Sequence, residues 1–455
     1  MPRIKSKYRC PEQELSFQRR LLGGVERSFR PAVAYINYPD NPMSNSEVFI
    51  NVIKCAFGTG CLAMPRAFHN TGWLTGLVST FLVSFLVVYA MNVLLQHIHH
   101  LGKIHGNPHL SYRKTMEFAL SQGPRCLHFA AKPLGYLVDI LLGTYHFGVL
   151  CVYVIFVAKS MKYLLDLHFW FLDERLYMAL LTFPLVLTFL VPNLKYLVPF
   201  ALIANILIFF GFSIIVCYLV RDLPSFEDIP ATRPLKTWPL FFGTVLFAIE
   251  SVGVILALER NMRTPERYLG PCGILNQAMA FVIFFYAAFG FLGYWRFGQN
   301  TSNSILQDLP ASDTLIQMVL AMFALGIFFS YALQGSVTVD IIWKGYLEPN
   351  LEEGSGRITE MLVRIALVIA SVLVAIEYPD FGLILSLTGS FCLAQLGLIF
   401  PGIVDFCVCY VEGYGPGYIL LFRALTFIFM GLAGGVAGTV VTLQVLNQRF
   451  PFLRF

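Results

Sequence analysis

Charged side chains are scarce in this sequence: they make up 13% of its 455 residues, where soluble domains carry about 25%. A chain with so little charge cannot cover a water-facing surface, so a wholly soluble protein is excluded. Hydrophobic residues reach 57%, and 42 phenylalanines contribute to an aromatic share of 15%. Aromatic side chains suit helix packing and anchoring at membrane interfaces. The composition therefore predicts a protein embedded in a lipid bilayer.

Motifs of enzymes, pumps and nucleic-acid binders are missing as well. The sequence has no Walker A loop, no HExxH and no GxSxG, so an ATP-driven pump or a motif-bearing membrane hydrolase is unsupported. It has no TVGYG filter of a potassium channel. It also lacks the basic stripe interleaved with aromatics that single-strand binders use. We therefore expect neither an enzyme nor a nucleic-acid partner.

Metal-ligand and disulfide patterns are equally absent. The ten cysteines have neither the spacing of a disulfide framework nor that of a CxxC site, which favours their interpretation as small buried hydrophobes. For Cys407 and Cys409, palmitoylation near the membrane surface is the alternative. Five histidines crowd one stretch without cysteine or acidic ligands beside them, so no metal site and no cofactor are predicted. These histidines are His97, His99, His100, His105 and His109.

Long apolar runs are what the sequence has in abundance. A spanning helix needs about 20 mostly apolar residues, and about eleven such segments follow one another. They centre near 46–66, 72–97, 134–160, 175–192, 195–220, 238–258, 271–294, 313–343, 358–377, 381–405 and 417–446. The sequence predicts an all-α membrane protein with about eleven transmembrane helices. Its transmembrane domain, 46–446, follows a cytoplasmic tail, 1–45, and precedes a short C-terminal tail, 447–455.

The distribution of Lys and Arg predicts the orientation of these helices. The N-terminal tail and the connection at 98–133 are rich in basic residues, so we expect both on the cytoplasmic side. A short amphipathic helix near Thr115–Ser121 is expected on that inner surface. The Asn300-Thr301-Ser302 sequon then falls on the outer or lumenal side, which makes Asn300 a candidate glycosylation site. Glycines at GxxxG spacing in the last segment predict close helix packing.

Two of the apolar segments are interrupted near mid-membrane. In the first, Gly58 and Gly60 flank a threonine and Pro65 follows, all of which weaken a helix. The sixth places Glu250 and Gly253 in an apolar run. Broken backbone at this depth survives where it lines a cavity or is covered by protein, and an intramembrane carboxyl is a functional candidate. Broken first and sixth helices are expected of a five-plus-five inverted repeat, with the eleventh helix left over.

The chemistry of the two breaks predicts a ligand with two poles. Backbone N–H groups at the start of a half-helix attract a carboxylate, whereas freed carbonyls together with Glu250 attract an ammonium. The two poles match an α-amino acid zwitterion. The alternatives are that the glycines serve only tight packing and that Glu250 belongs to a structural ion pair. The predicted substrate-binding residues are Gly58, Thr59, Gly60, Cys61, Phe247, Ala248, Glu250, Ser251 and Gly253.

Four ionisable residues in or beside apolar segments are candidates for coupling to protons. They are Glu250, Asp340, Lys54 and His146. Asp139 lies on the same helical face as His146, seven residues before it, and a satisfied structural role is the favoured interpretation for these two. No other feature of the sequence indicates a coupling ion.

Several stretches resemble one known family, the amino acid/auxin permeases, and within it the proton-assisted amino acid transporters. The most specific stretch is FFGTVLFAIESVGVILALERNM at 241–262, and KCAFGTGCLAMP at 54–65 is similar. Further similarity lies in 191–205, 292–298 and 386–406, so that the resemblance covers roughly residues 45–450. It implies eleven helices, a cytoplasmic N-terminus, a five-plus-five inverted repeat, and proton symport of small unbranched amino acids such as glycine, alanine or proline.

Two departures from the family pattern bear on mechanism. Asn51 stands where this branch usually carries a histidine linked to proton coupling, so coupling falls to another group such as Glu250 or is absent. Outer-loop cysteines for the family's disulfide are also missing. The sequence therefore favours a proton-coupled symporter of small neutral amino acids. The alternatives are a proton-independent uniporter or exchanger, and an amino-acid sensor with little transport. The plasma membrane and a lysosomal or endosomal membrane both fit.

Overall fold

The computed structural model describes residues 43–107, 110–166, 172–191, 198–221, 223–226, 229–249, 255, 258–259, 262–270, 272–310, 312–348 and 356–450. Within these ranges the regular structure is helical, and the only strand-type pairing is an isolated bridge between Met43 and Met262. The helices are α1 (Asn45–Ala56), α2 (Thr59–Leu62), α3 (Met64–Thr71), α4 (Trp73–Ile104), α5 (Tyr112–Gln122), α6 (Ala131–Leu165), α7 (Glu174–Phe189), α8 (Val198–Val220), α9 (Trp238–Ile249), α10 (Ile274–Phe297), α11 (Thr314–Ile342), α12 (Gly356–Glu377), α13 (Phe381–Thr388), α14 (Phe400–Glu412) and α15 (Ile419–Arg449).

Eight helical stretches among the described residues are long and apolar enough to cross a membrane. They contain α4, α6, α8, α10, α11, α12, the α13–α14 pair and α15. The pair is joined by two π-helical turns, Gly389–Leu393 and Gln395–Ile399. The prediction of an all-α membrane protein is confirmed. The total of eleven spans, which counts the interrupted α1–α3, α7 and α9, stays a prediction.

The spanning helices differ in how much of their surface faces lipid. In the most apolar 18-residue stretch of α13–α14, 78% is buried in the bundle, against 22% of the corresponding stretch of α15. Large side chains such as Phe422 and Phe429 are exposed on α15, as expected of a helix at the bundle edge that contacts lipid. The interior therefore lies around α6, α9, α10 and the α13–α14 pair.

The glycines of α15 allow it to approach the interior closely. A Cβ at Gly434 would lie 2.4 Å from the Phe242 ring, and one at Gly438 would lie 2.2 Å from Ser390 Oγ. Neither position has room for a methyl group. This supports the interpretation of the GxxxG pattern as a packing device.

The predicted amphipathic helix exists as α5, capped by the Ser111 side chain. Its Arg113 donates to Glu117 at 2.9 Å and to Asp139 of α6 at 3.1 Å. Partial burial alone raises the pKa of Glu117, but hydrogen bonds from Lys114 and Arg113 lower it further than burial raises it, to below its ordinary value. Asp139 therefore has the structural role that the sequence favoured.

The start of α1 is tied to the segment that follows α9. Ser44 and Glu47 form a capping box at the first turn of α1. Next to it, the Arg263 N–H donates to the Met43 carbonyl at 2.9 Å, and the Thr264 hydroxyl donates to Asn45 Oδ1 at 2.6 Å. One backbone and one side-chain hydrogen bond thus join two segments that lie more than 200 residues apart.

Candidate functional site

The first predicted break is present. Helix α1 ends at Ala56, Phe57 caps it, and Gly58 is extended at φ −149° and ψ −153° before the single turn of α2. Gly58 has no side chain to cap the N–H groups of Thr59, Gly60 and Cys61, so these donors are the kind that bind an anion. All three residues are buried. The sequence located this break correctly because glycine and proline act locally.

The second predicted break falls immediately after the described part of α9, Trp238–Ile249, and stays a prediction. Phe247 and Ala248, in the last described turn of this helix, are buried. Glu250, Ser251 and Gly253 lie outside the described residues. Their predicted contributions to binding, and that of Glu250 to proton coupling, therefore stay predictions.

The structure brings the first break into direct contact with the last described turn of α9. A Cβ added at Gly60 would lie 2.6 Å from Ala248 Cα, so the backbones of α2 and α9 touch at a distance that only glycine permits. At Gly58, by contrast, no described atom outside its immediate chain neighbours lies within 4 Å of the Cβ position. Gly60 therefore allows the close backbone contact between α2 and α9, whereas the Cβ position of Gly58 has no described neighbour.

Tyr286 of α10 bridges the end of α1 and the last described turn of α9. The sequence did not identify this residue. Its buried hydroxyl contacts the Ala56 carbonyl and lies 3.2 Å from the Ala248 carbonyl. The Ala56 carbonyl belongs to the last turn of α1, where a helix leaves acceptors without an intrahelical donor. The Ala248 carbonyl belongs to the last described turn of α9. A carbonyl accepts two hydrogen bonds, so each retains capacity for a ligand ammonium. No local signal marks this tyrosine, since it lies in an ordinary apolar helix.

Aromatic rings and one lysine border the first break. The Phe57 ring lies 4.6 Å from that of Phe285 and 5.6 Å from that of Phe212. These rings line a cavity of about 390 Å³ that also receives Lys54. Lys54 makes no ion pair with any described residue, and among the described residues that line this cavity it is the only charged one. A partly buried ammonium without a counter-charge is costly.

His146 lies beside the second break. It is 3% exposed, and its Nδ1 lies 3.0 Å from Gln334 Oε1. Its Nε2 is buried without a hydrogen-bond partner among the described residues. The adjacent Tyr145 packs its ring 6.2 Å from that of Phe247. Of the coupling candidates that the structure describes, His146 therefore combines an unpaired buried nitrogen with a neighbour at the break.

Asp340, Asn51 and Asn300 lie away from the breaks. Asp340 is exposed near the end of α11, six residues beyond Gln334. The Asn51 amide donates to Met43 Sδ at 3.4 Å, towards the start of α1. Asn300 is exposed in the 3₁₀ turn Gly298–Asn300, where a glycan could be attached, and its glycosylation stays a prediction.

The expectation that the clustered histidines lack acidic partners was wrong for three of them. His97 Nε2 lies 2.7 Å from Asp405 Oδ1, and similar distances pair His99 with Glu259 and His100 with Glu412. The acids come from segments distant in sequence, which no local pattern reveals.

The same cluster bears on metal binding. Asp405, His97 and Cys409 have their ligand atoms within 4.8 Å of one another. Arg423, however, donates to both carboxylate oxygens of Asp405, at 2.6 and 2.9 Å. The guanidinium occupies the positions that a metal ion would need, so these residues form an ion-pair network. Cys407 and Cys409 are buried, which supports their interpretation as small hydrophobes and not as palmitoylation sites.

Comparisons with known proteins place this geometry in context. The sequence profile of the transmembrane amino acid transporter protein family matches residues 41–444. The proton-coupled amino acid transporter-like protein pathetic of Drosophila melanogaster is 33% identical over 416 residues, which cover 90% of this chain and 87% of that protein. The amino acid transporter AVT3A of Arabidopsis thaliana is 28% identical over 80% of this chain and 82% of its own. A manganese transporter of Eremococcus coleocola, a solved structure, aligns at a TM-score of 0.49 and 13% identity over 92% of this chain and 91% of its own.

Proposed function

Because the chain belongs to the transmembrane amino acid transporter protein family, we propose that it carries small neutral amino acids across a membrane together with protons. The observation that carries this proposal is the contact between the first break and the last described turn of α9, where Gly60 packs on Ala248 and Tyr286 contacts the carbonyls of Ala56 and Ala248. Broken helices that meet at mid-membrane are the sites where inverted-repeat transporters hold substrate and coupling ion. A five-plus-five inverted repeat is part of the proposal.

The substrate is an α-amino acid zwitterion bound between the breaks. The N–H groups from Gly58 to Cys61 receive its carboxylate. The carbonyls of Phe247 and Ala248, with Glu250, receive its ammonium, and Ser251 and Gly253 complete this side. The close approach of Gly60 to Ala248 leaves no room for a substrate side chain between these two residues, which supports a small substrate such as glycine, alanine or proline.

Proton coupling needs a group that can titrate, and Asn51 cannot. We assign this role to His146 together with Glu250. The Nε2 of His146 accepts a hydrogen bond when the ring is neutral and donates one when the ring is protonated. Protonation therefore changes which partner near the second break this atom can bind. Lys54 and Asp340 are secondary candidates, since Lys54 faces the cavity beside the first break and Asp340 is exposed.

Uptake of labelled glycine, alanine and proline into proteoliposomes, with and without an inward proton gradient, tests the proposal. We expect uptake to rise with the gradient. Glu250→Gln and His146→Gln should each remove the stimulation while the protein still inserts and folds. Stimulation that persists in both variants would exclude these two residues from coupling.

A second candidate function is a proton-independent uniporter or exchanger, which the asparagine at position 51 favours. It predicts uptake that ignores the gradient but is accelerated by amino acid on the opposite side. An amino-acid sensor predicts binding without flux in the same vesicles. The three functions therefore separate in one assay.

The proposal places the protein in the plasma membrane or in a lysosomal or endosomal membrane. Microscopy of the tagged chain against organelle markers distinguishes the two. The exposed Asn300 is proposed as a glycan acceptor on the outer or lumenal side. A mobility shift on enzymatic deglycosylation, absent in Asn300→Gln, tests this.

A further inference from the structure

A second cavity, of about 310 Å³, lies on the side that the sequence predicts to face outward. It is formed where α6 ends, where α7 begins, and by the connection between α10 and α11. None of its lining residues belongs to α1, α2, α3 or α9. The cavity is thus separate from the site at the two breaks, and its lining is strongly charged where the first cavity is apolar.

The charges in this cavity are only partly paired with each other. Lys162 is satisfied, because it donates to Asp166 at 2.7 Å and to the Leu172 carbonyl at 2.9 Å. Lys159, by contrast, lies 3.4 Å from Glu174 Oε1. That oxygen is buried and has no hydrogen-bond partner among the described residues. The cavity therefore presents an ammonium and a carboxylate that lie close together without a hydrogen bond between them.

Ser304 supplies an independent indication of a ligand. It is 2% exposed and lines the cavity, and its hydroxyl has no hydrogen-bond partner among the described residues. A buried hydroxyl without a partner costs about 1–3 kcal/mol. Unsatisfied groups of this kind in folded proteins call for a bound molecule or some other explanation. The Ser304 hydroxyl and the Glu174 oxygen that lacks a hydrogen bond belong to residues that line the same cavity.

Apolar side chains also line the cavity. They are Phe156, Leu306, Leu320 and Phe381. A cation, an anion, a hydroxyl and an apolar wall within one small cavity are the elements that recognise an amino acid: carboxylate, ammonium and an uncharged side chain.

We propose that this cavity is a second binding site for a small neutral amino acid. Lys159 binds the ligand carboxylate, Glu174 and Ser304 accept hydrogen bonds from its ammonium, and Phe156 and Phe381 contact its side chain. The ligand class rests on the proposed function, whereas the site itself rests on the cavity. A zwitterion bound here gives hydrogen bonds to the Glu174 and Ser304 oxygens and inserts between the loosely paired charges of Lys159 and Glu174.

Equilibrium binding of labelled alanine to the purified full-length chain tests this. The wild type should bind two equivalents. Lys159→Gln should lose one of them, with affinity at that site about tenfold lower or more, since it removes a charged hydrogen bond. Arg175→Gln is the matched control, because it makes the same charge change on an exposed residue next to Glu174 that does not line the cavity. Ser304→Ala should weaken the same site without changing charge.

Gly60→Leu separates the two sites, because it fills the contact between the breaks and leaves the outer cavity untouched. It should leave one equivalent, which Lys159→Gln then removes. One equivalent in the wild type that Gly60→Leu abolishes and Lys159→Gln leaves unchanged would overturn the second site. One equivalent with the reverse behaviour supports the second site and argues against substrate binding at the breaks. Absence of alanine binding at millimolar concentration would also overturn the second site.

Discussion

Where the first break meets α9, the described polar contacts are made by backbone carbonyls and the Tyr286 hydroxyl, whereas at the predicted inner end they are made between ionisable side chains. There, Asp405 is entirely buried and paired with both His97 and Arg423, and His100 pairs with Glu412 nearby. Among the described residues, the centre leaves the Cβ position of Gly58 without a neighbour and the Nε2 of His146 without a hydrogen-bond partner. The two regions lie in one helical bundle but satisfy their polar groups differently.

This difference separates a region suited to bind a ligand from a region that stabilises the fold. A buried charge network that is internally complete gains nothing from a ligand, and loses much when one member is removed. A region whose groups are only partly satisfied gains free energy when a ligand completes them. We therefore expect substitutions at the centre to change transport, and substitutions at the inner end to change stability. Four predictions test this division.

The largest effect on transport is expected for Gly60→Ala. Its Cβ would lie 2.6 Å from Ala248 Cα, so the two breaks must move apart, and displacements near 1 Å at a working site cost about 100-fold in rate. Uptake in proteoliposomes should fall by about that factor while the unfolding temperature changes little. Gly143→Ala of α6 is the matched control, since no described atom outside its own helix lies within 4 Å of its Cβ position, and it should keep most of its uptake. Equal losses in the two variants would contradict the assignment.

Asp405→Asn should give the largest loss of stability. It removes the charge on which His97 and Arg423 converge, and breaking a buried ion pair costs about 3 kcal/mol or more. The free energy of unfolding in detergent measures this. Asp166→Asn, whose pair with Lys162 is partly exposed, should lose about 1 kcal/mol or less. Comparable losses in the two would mean that burial of the network is not what makes it strong.

Tyr286→Phe should lower uptake about tenfold, because the half-helix carbonyls lose a shared donor that contributes about 1–3 kcal/mol. The ring is retained, so packing in α10 is unchanged. Tyr331→Phe provides the control: its hydroxyl lies 2.7 Å from Ser371 Oγ, away from the breaks, and its loss should leave uptake intact. If uptake falls equally in the two variants, the hydroxyl of Tyr286 has no special role.

Glu412→Gln should have the smallest effect. Both Glu412 and its partner His100 are nearly half exposed, and exposed pairs contribute about 1 kcal/mol or less. Unfolding and uptake should both stay close to the wild type. A large loss of stability here would show that the inner-end network extends to this pair.

The sequence predicted those features that depend on local backbone chemistry. Glycine and proline located the first break, and the amphipathic pattern near Thr115 located α5. It missed contacts between residues far apart along the chain, such as Tyr286 with Ala56, separated by 230 positions, and His97 with Asp405, separated by 308. A tyrosine or histidine in an apolar run looks the same whether its partner is a carbonyl, an acid or lipid. Only the packing of the helices decides between these.

The hydrogen bonds that join the start of α1 to the segment after α9 have a mechanical consequence. Met43 and Arg263 are linked through their backbones, and Asn45 and Thr264 through their side chains. If α1 tilts during a transport cycle, it pulls this segment with it, because stretching two short hydrogen bonds costs more than rotating a glycine hinge. Helix α1 and the segment at 262–264 then move together as one unit, and the rotation is taken up at Gly58, between α1 and α2.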